Sequence, residues 1–182
     1  MIAVTIALLL VSCATSGGGR DIAPASITGA GHATHAERPV VGLDAGLSAA
    51  VDNRLEVRAY VLANRARREA GLAPLEMRYD LVRLARRHAK DMARRDFFSH
   101  TNPDGDGPSQ SLDAAGFDGF TWGENIAWGQ RSPQQVVAGW MSSDGHCRNI
   151  MSPVFTELGV GYYLDANDSY RHYWTQNFGT PL

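Results

Sequence analysis

Leu158, Val160, Tyr162 and Leu164 recur at every second position, and this alternation constrains the chain more than any other feature. It is the pattern of a strand with one face in a core. Turn-forming residues from Asp165 to Ser169 follow it, and Tyr170 to Phe178 reads as the returning partner strand. Upstream the period changes to that of helices. The spacing predicts a first helix from Ser48 as N-cap to about Ala70, stopped by Gly71 and Pro74, with Val51, Leu55, Ala59, Leu62 and Ala66 as its core stripe. A second helix starts after Asp80 and turns Leu81, Leu84, Ala85, His88 and Met92 to one side. His88 on that apolar stripe reads most simply as a hydrogen-bonded core histidine. A short helix is expected at Ser111–Ala115, ending at Gly116. Another begins with Ser132 as N-cap, Pro133 at the first helical position and Gln135 completing a capping box. Helices first, then strands among further helices, imply an α+β fold with a layer of helix on each side of a central antiparallel sheet.

The chain has 182 residues, room for one domain. Charge is segregated: residues 54–95 carry twelve basic and five acidic side chains, residues 96–182 three and ten. Fourteen of the sixteen aromatics also follow residue 96, so a basic helical half is expected to pack on an acidic, aromatic one. A net charge of −2 excludes general nucleic-acid binding, which needs a strongly basic face. At the N-terminus, the apolar run Ile2–Val11 has the length of a signal-peptide core. Leu10-Val11-Ser12-Cys13 looks like the lipobox of bacterial lipoproteins, which implies a signal peptide over residues 1–12 and acylation of Cys13. The membrane would then be reached through a lipid anchor on Cys13, at the outer membrane or cell surface. The alternative is an ordinary secreted protein whose Cys13 is removed or pairs with Cys147. Residues 13–47 are rich in Gly, Ala, Ser, Thr and Pro and read as a flexible tether with a span of about 30 Å. The folded domain is expected over residues 48–182.

Seven motifs follow one another in the domain: Asn64-x-x-Arg67 with Gly71–Leu75; His88–Ala93; Phe97–His100 with Pro103–Gly105; Gly123–Ala127; Trp140 through His146 to Ile150; Phe155-Thr156 with Gly159–Gly161; and Tyr173–Gly179. In this order they resemble the CAP superfamily of cysteine-rich secretory proteins, antigen 5 and pathogenesis-related proteins, in its bacterial branch. The resemblance implies an α-β-α sandwich with a central cleft into which His100, Glu124 and His146 project. It also marks two departures. Ser143 stands where many animal and plant members carry a second glutamate, and the family's disulfides are missing, with Cys147 in a position that is usually arginine or another polar residue.

Two neutral imidazoles at a cleft make half a zinc site, so His100 and His146 are candidate ligands for weak binding of Zn2+ or another divalent metal. Glu124 could hold a metal-bound water, orient an imidazole or act as a general base; a buried polar network holding the loops is the plainer alternative. Asn102, Asp104, Asp106, Gly107 and Asp113 imitate a calcium loop, but an Asn in first place and a short Asp in last make a Pro-Asp-Gly turn the simpler account. The resemblance favours a binding module for a small lipid or other apolar ligand. The rivals are a metal-assisted hydrolase using His100, His146 and Glu124, and a cell-envelope scaffold or adhesion module.

Overall fold

The structure is a computed structural model that describes Cys13, residues 54–170 and residues 172–182, with Phe120 described by its backbone alone. The expected signal peptide, the tether after Cys13 and the start of the first helix lie outside the described residues. The order of elements is α1 (Arg54–Glu69), β1 (Glu76–Met77), α2 (Tyr79–Arg94), α3 (Pro108–Ala114), β2 (Gly119–Trp128), α4 (Pro133–Met141), α5 (Asp144–Met151), β3 (Glu157–Leu164) and β4 (His172–Pro181). The sheet runs β1-β3-β4-β2, with β1 parallel to β3 and the other pairs antiparallel. The expected antiparallel sheet therefore gains one short parallel strand. The helices α1, α4 and α5 cover one face, and α2 and α3 the other, so the fold is the expected α+β sandwich.

The larger core lies under α1, α4 and α5, where Leu158, Val160, Trp174 and Phe178 of the sheet meet Ala59, Ala63, Val136, Trp140 and Ile150. The predicted alternation of β3 holds as far as Tyr162, while Leu164 ends exposed beyond the helices. In α1 the buried stripe differs from the predicted one. Besides Ala59 and Ala63, it contains Glu56, Asn64 and Arg67. Hydropathy could not place these polar residues inside, because each is buried through specific partners. Asn64 pairs with both the N–H and the carbonyl of Leu75, at 2.7 and 2.9 Å. Arg67 donates Nη1 to the carbonyls of Ile150 and Ser152, at 2.7 Å each, and so caps the end of α5. Glu56 reaches past the sheet, accepting from the backbone N–H of Tyr162 at 3.0 Å and from Arg86 of α2. Burial pushes its pKa up while Arg86 pulls it down. Because β1 pairs only with the first residues of β3, this Glu56–Arg86 clasp covers part of the edge that β1 leaves open.

On the opposite face α2 lies unusually close to β3, and two glycines permit it. A Cβ on Gly159 would overlap the backbone of Leu81 and Val82, and one on Gly161 the backbone of Ala85 and Arg86. The N-cap of α4 is as expected, with Ser132 accepting from the N–H of Gln135 at 3.2 Å. Gln135 returns its side chain to Arg131 N rather than to Ser132, so the predicted box is displaced by one residue.

Cys13 is joined to Cys147 of α5, with 5.7 Å between the Cα atoms, which is the pairing that stood as the alternative to acylation of Cys13. Among the described residues no helix is long and apolar enough to cross a membrane.

The glycine seat leads to a direct prediction. Gly161→Ala should destabilise the fold by about 3 kcal/mol, since backbone atoms of α2 cannot turn aside as a side chain can. An unchanged urea midpoint would show that α2 is free to shift.

Candidate functional site

Three segments meet at β2, which among the described residues is an edge strand paired with β4 alone. Glu124 sits midway along it, on the same face as Ile126 and beneath α2. The second segment leaves α2 through Asp96, in left-handed backbone with φ 52°, while Phe97 N bonds back to Met92 O at 3.1 Å. Phe98 then stacks on Trp128 with ring centroids 4.5 Å apart. Beyond the next turn Asn102 Oδ1 accepts from the N–H groups of Asp104 and Asp106, at 2.9 Å each, and Asp104 pairs with Arg95. These bonds close the loop as a turn. Asn102 Oδ1 and the Asp104 carboxylate, two of the groups a calcium loop would use, are committed to these bonds.

The fixed loop presents His100, half exposed, with Nδ1 2.7 Å from Glu124 Oε1. A carboxylate only accepts, so the Nδ1 of His100 carries a proton and donates it to Glu124. The other carboxylate oxygen is held from the sheet. Asn177, opposite Glu124 in the β2–β4 register, donates Nδ2 to Glu124 Oε2 at 3.1 Å and accepts from Ala85 N of α2 at 3.2 Å. His88 supplies a further contact. Its Nε2 lies 3.0 Å from Ser99 O and 3.8 Å from Glu124 Oε1, so it anchors the residue before His100.

His146 comes from α5, on the other side of the strand. Asn149 donates to Glu124 O at 3.1 Å and to Asn125 Oδ1 at 2.8 Å, and Asn125 donates to His146 O at 3.2 Å. These bonds stitch α5 to β2 at Glu124. His146 Nδ1 lies 2.9 Å from Ser143 Oγ, at the position that departs from the family pattern, and Ser143 makes no side-chain cap to α5. The three expected residues are thus brought to one strand in different ways. His100 and Glu124 are bonded, whereas His146 feels His100 electrostatically and bonds to neither. Burial and the neighbouring His100 both lower the pKa of His146. Neutral imidazoles suit a metal, but among the described residues no group of three or more His, Cys, Asp or Glu side chains is arranged to hold one.

A groove of about 340 Å³ opens on the α2 side of Glu124. Arg87, His88 and Asp91 of α2, His100 and Asp106 of the loop, and Glu124 contribute to its walls. His146 does not line it. The sequence reading missed the site roles of His88 and Asn177. The alternation of β4, which places Asn177 on the Tyr173 face, was the available signal for the second.

A pH test follows from His146. Its folded pKa lies below the ordinary value near 6.5, so acid favours the unfolded state, which takes up the proton first. The stabilisation is complete above that value and is lost as pH falls through the lowered one. Urea titrations from about pH 7.5 to 5 should show a steeper decline for the wild type than for His146→Asn. Equal slopes would contradict the assignment.

Comparison with known proteins agrees with this architecture. Residues 61–178 match the cysteine-rich secretory protein family, CAP. The uncharacterized protein YkwD of Bacillus subtilis is 38% identical over 123 residues, which are 68% of this chain and 46% of that protein. The uncharacterized membrane protein YlbC of the same organism is 34% identical over 117 residues, 64% of this chain and 32% of that one. The chain therefore spans less than half the length of either relative. An extracellular SCP-domain protein from Bacillus anthracis superposes with a TM-score of 0.64 at 28% identity, over 78% of this chain and 45% of that one. An outer surface protein from Borrelia burgdorferi shares the fold, with a TM-score of 0.66 at 19% identity over 72% of this chain and 97% of its own. With its family match covering most of the chain, the protein belongs to the CAP family of cysteine-rich secretory proteins.

Proposed function

We propose that this CAP domain is an extracytoplasmic binding module that receives a small polar ligand in the groove beside His100 and Glu124. The observation that carries the reading is the set of charged and amide side chains in the lining of that groove, which stand beside Leu84, Pro108 and Ala114. Such walls suit a ligand that makes hydrogen bonds better than the lipid expected from family resemblance. His100 supports recognition, because its ring is oriented by Glu124 while its side chain is half exposed. Hydrolysis has less support. Both oxygens of Glu124 already have partners, so the carboxylate would act as a base only through His100. The extracellular and outer-surface proteins that share the fold, together with a disulfide of the kind kept in oxidising compartments, support a location outside the cytoplasm.

Weak divalent-metal binding is a second reading, favoured by the His100–Glu124 pair, which has the form of an imidazole ligand backed by a carboxylate. His100 and His146 would hold the ion, which would supply Lewis acidity at the edge of β2.

Separate NMR titrations with glycylglycine, N-acetylglucosamine, citrate and palmitate test the main reading. At least one of the three polar probes should shift the resonances of Arg87, His100 and Glu124, and palmitate should leave them in place. Shifts caused by palmitate alone would restore an apolar ligand, and no shift with any polar probe would refute the polar groove.

A further inference from the structure

The charges of the groove narrow the ligand class, on the assumption that the polar-groove reading above is right. Most ionic side chains around it are committed to one another. Arg95 lies between Asp104, at 2.5 Å, and Asp91, at 3.6 Å. Glu124 is tied to His100 and Asn177. Two opposite charges are left over. Arg87 forms no ion pair among the described residues, and the one hydrogen bond of its side chain among them is a long one of 3.5 Å to Ser111 O. The Asp106 side chain has no cation within ion-pair distance among the described residues and accepts a 3.4 Å bond from Asn102, while its charge also acts on Arg95 of the same lining. Both residues line the same cavity, Arg87 from α2 and Asp106 from the loop before α3.

Two further groups in the same lining complement these charges. His100 donates Nδ1 to Glu124, and in its neutral form Nε2 is an acceptor. Gln110 accepts from Gly107 N and Ser109 Oγ through its oxygen, which leaves its Nε2 as a donor. One free cation, one free anion, one acceptor and one donor match a molecule with a carboxylate, an ammonium and an amide between them.

We infer that the groove binds short peptides with free ends, Arg87 receiving the carboxylate and Asp106 the ammonium, while His100 accepts a peptide N–H and Gln110 donates to a peptide carbonyl. The assignment is directional, so each end of the ligand answers to one residue. Charged hydrogen bonds of this kind are the stronger ones, and loss of one is expected to weaken binding about tenfold.

Calorimetric titration of the full chain with trialanine, N-acetyl-trialanine and trialanine amide tests the proposal. Trialanine should bind about tenfold more tightly than either blocked form. Arg87→Gln should weaken trialanine and N-acetyl-trialanine about tenfold and leave the amide unchanged. Asp106→Asn should weaken trialanine and the amide, and leave the acetylated peptide unchanged. Both substitutions are at exposed or loop positions, and an unaltered melting temperature confirms the fold of each variant. Equal affinity for free and blocked peptides, or a variant that weakens all three alike, would overturn the assignment. Absence of peptide binding would overturn it too, and if N-acetylglucosamine or citrate still moved His100 the polar groove would stand without it.

Discussion

The close seat of α2 on Gly159 and Gly161 is the constraint on which the rest of the site depends. A helix normally stands off a sheet by the length of the side chains between them. Here the absence of two Cβ atoms lets the backbone of α2 touch β3 at Leu81 and Ala85. That approach brings the N–H of Ala85 within reach of Asn177, and Asn177 in turn holds one oxygen of Glu124. One turn further along the same helix His88 reaches Ser99 and fixes the residue before His100. The glycines therefore act at a distance, by setting the height of a helix whose side chains and backbone orient the carboxylate and the imidazole.

Placing that pair at the edge strand reconciles two opposing demands. A buried carboxylate without partners is expensive, and Glu124 meets the cost with His100 on one oxygen and Asn177 on the other. His100, lying beyond the edge of the sheet, is nevertheless half exposed, as its proposed part in recognition requires. The edge also lets α5 approach from the opposite face, where asparagine bonds to the backbone at Glu124 bring His146 close without a direct bond. Ser143 is central to that difference. A hydroxyl can donate or accept, so it leaves the tautomer of His146 open, whereas Glu124 fixes that of His100.

The elements built on periodic burial were legible in the sequence: α2, the start of α4, and the β3–β4 hairpin up to Tyr162. The order of motifs, rather than any local pattern, pointed to His100, Glu124 and His146, of which the structure joins the first two by a hydrogen bond. What the sequence hid was specified by polar pairing. Glu56, Asn64 and Arg67 are buried because of partners as far as 106 residues away, and no hydropathy window contains such a partner. The strand β2 was not anticipated, since Glu124 and Asn125 are both buried in it and each faces a different polar network. His88 belongs by period to the stripe that packs against the sheet, yet it lies at the end of that stripe where the groove begins. Ligand chemistry was the least legible of all. The family resemblance suggested an apolar guest, whereas charged side chains are among those that line the groove.

The protonation of the His100 ring tests the account most directly, since every role assigned to the groove starts from it. Long-range nitrogen–proton NMR spectra of the folded protein near neutral pH distinguish the two ring nitrogens. The account predicts a proton fixed on Nδ1 by Glu124 and a bare Nε2, with that preference lost in Glu124→Ala. A proton on Nε2, or a freely exchanging mixture that Glu124→Ala leaves unchanged, would contradict it.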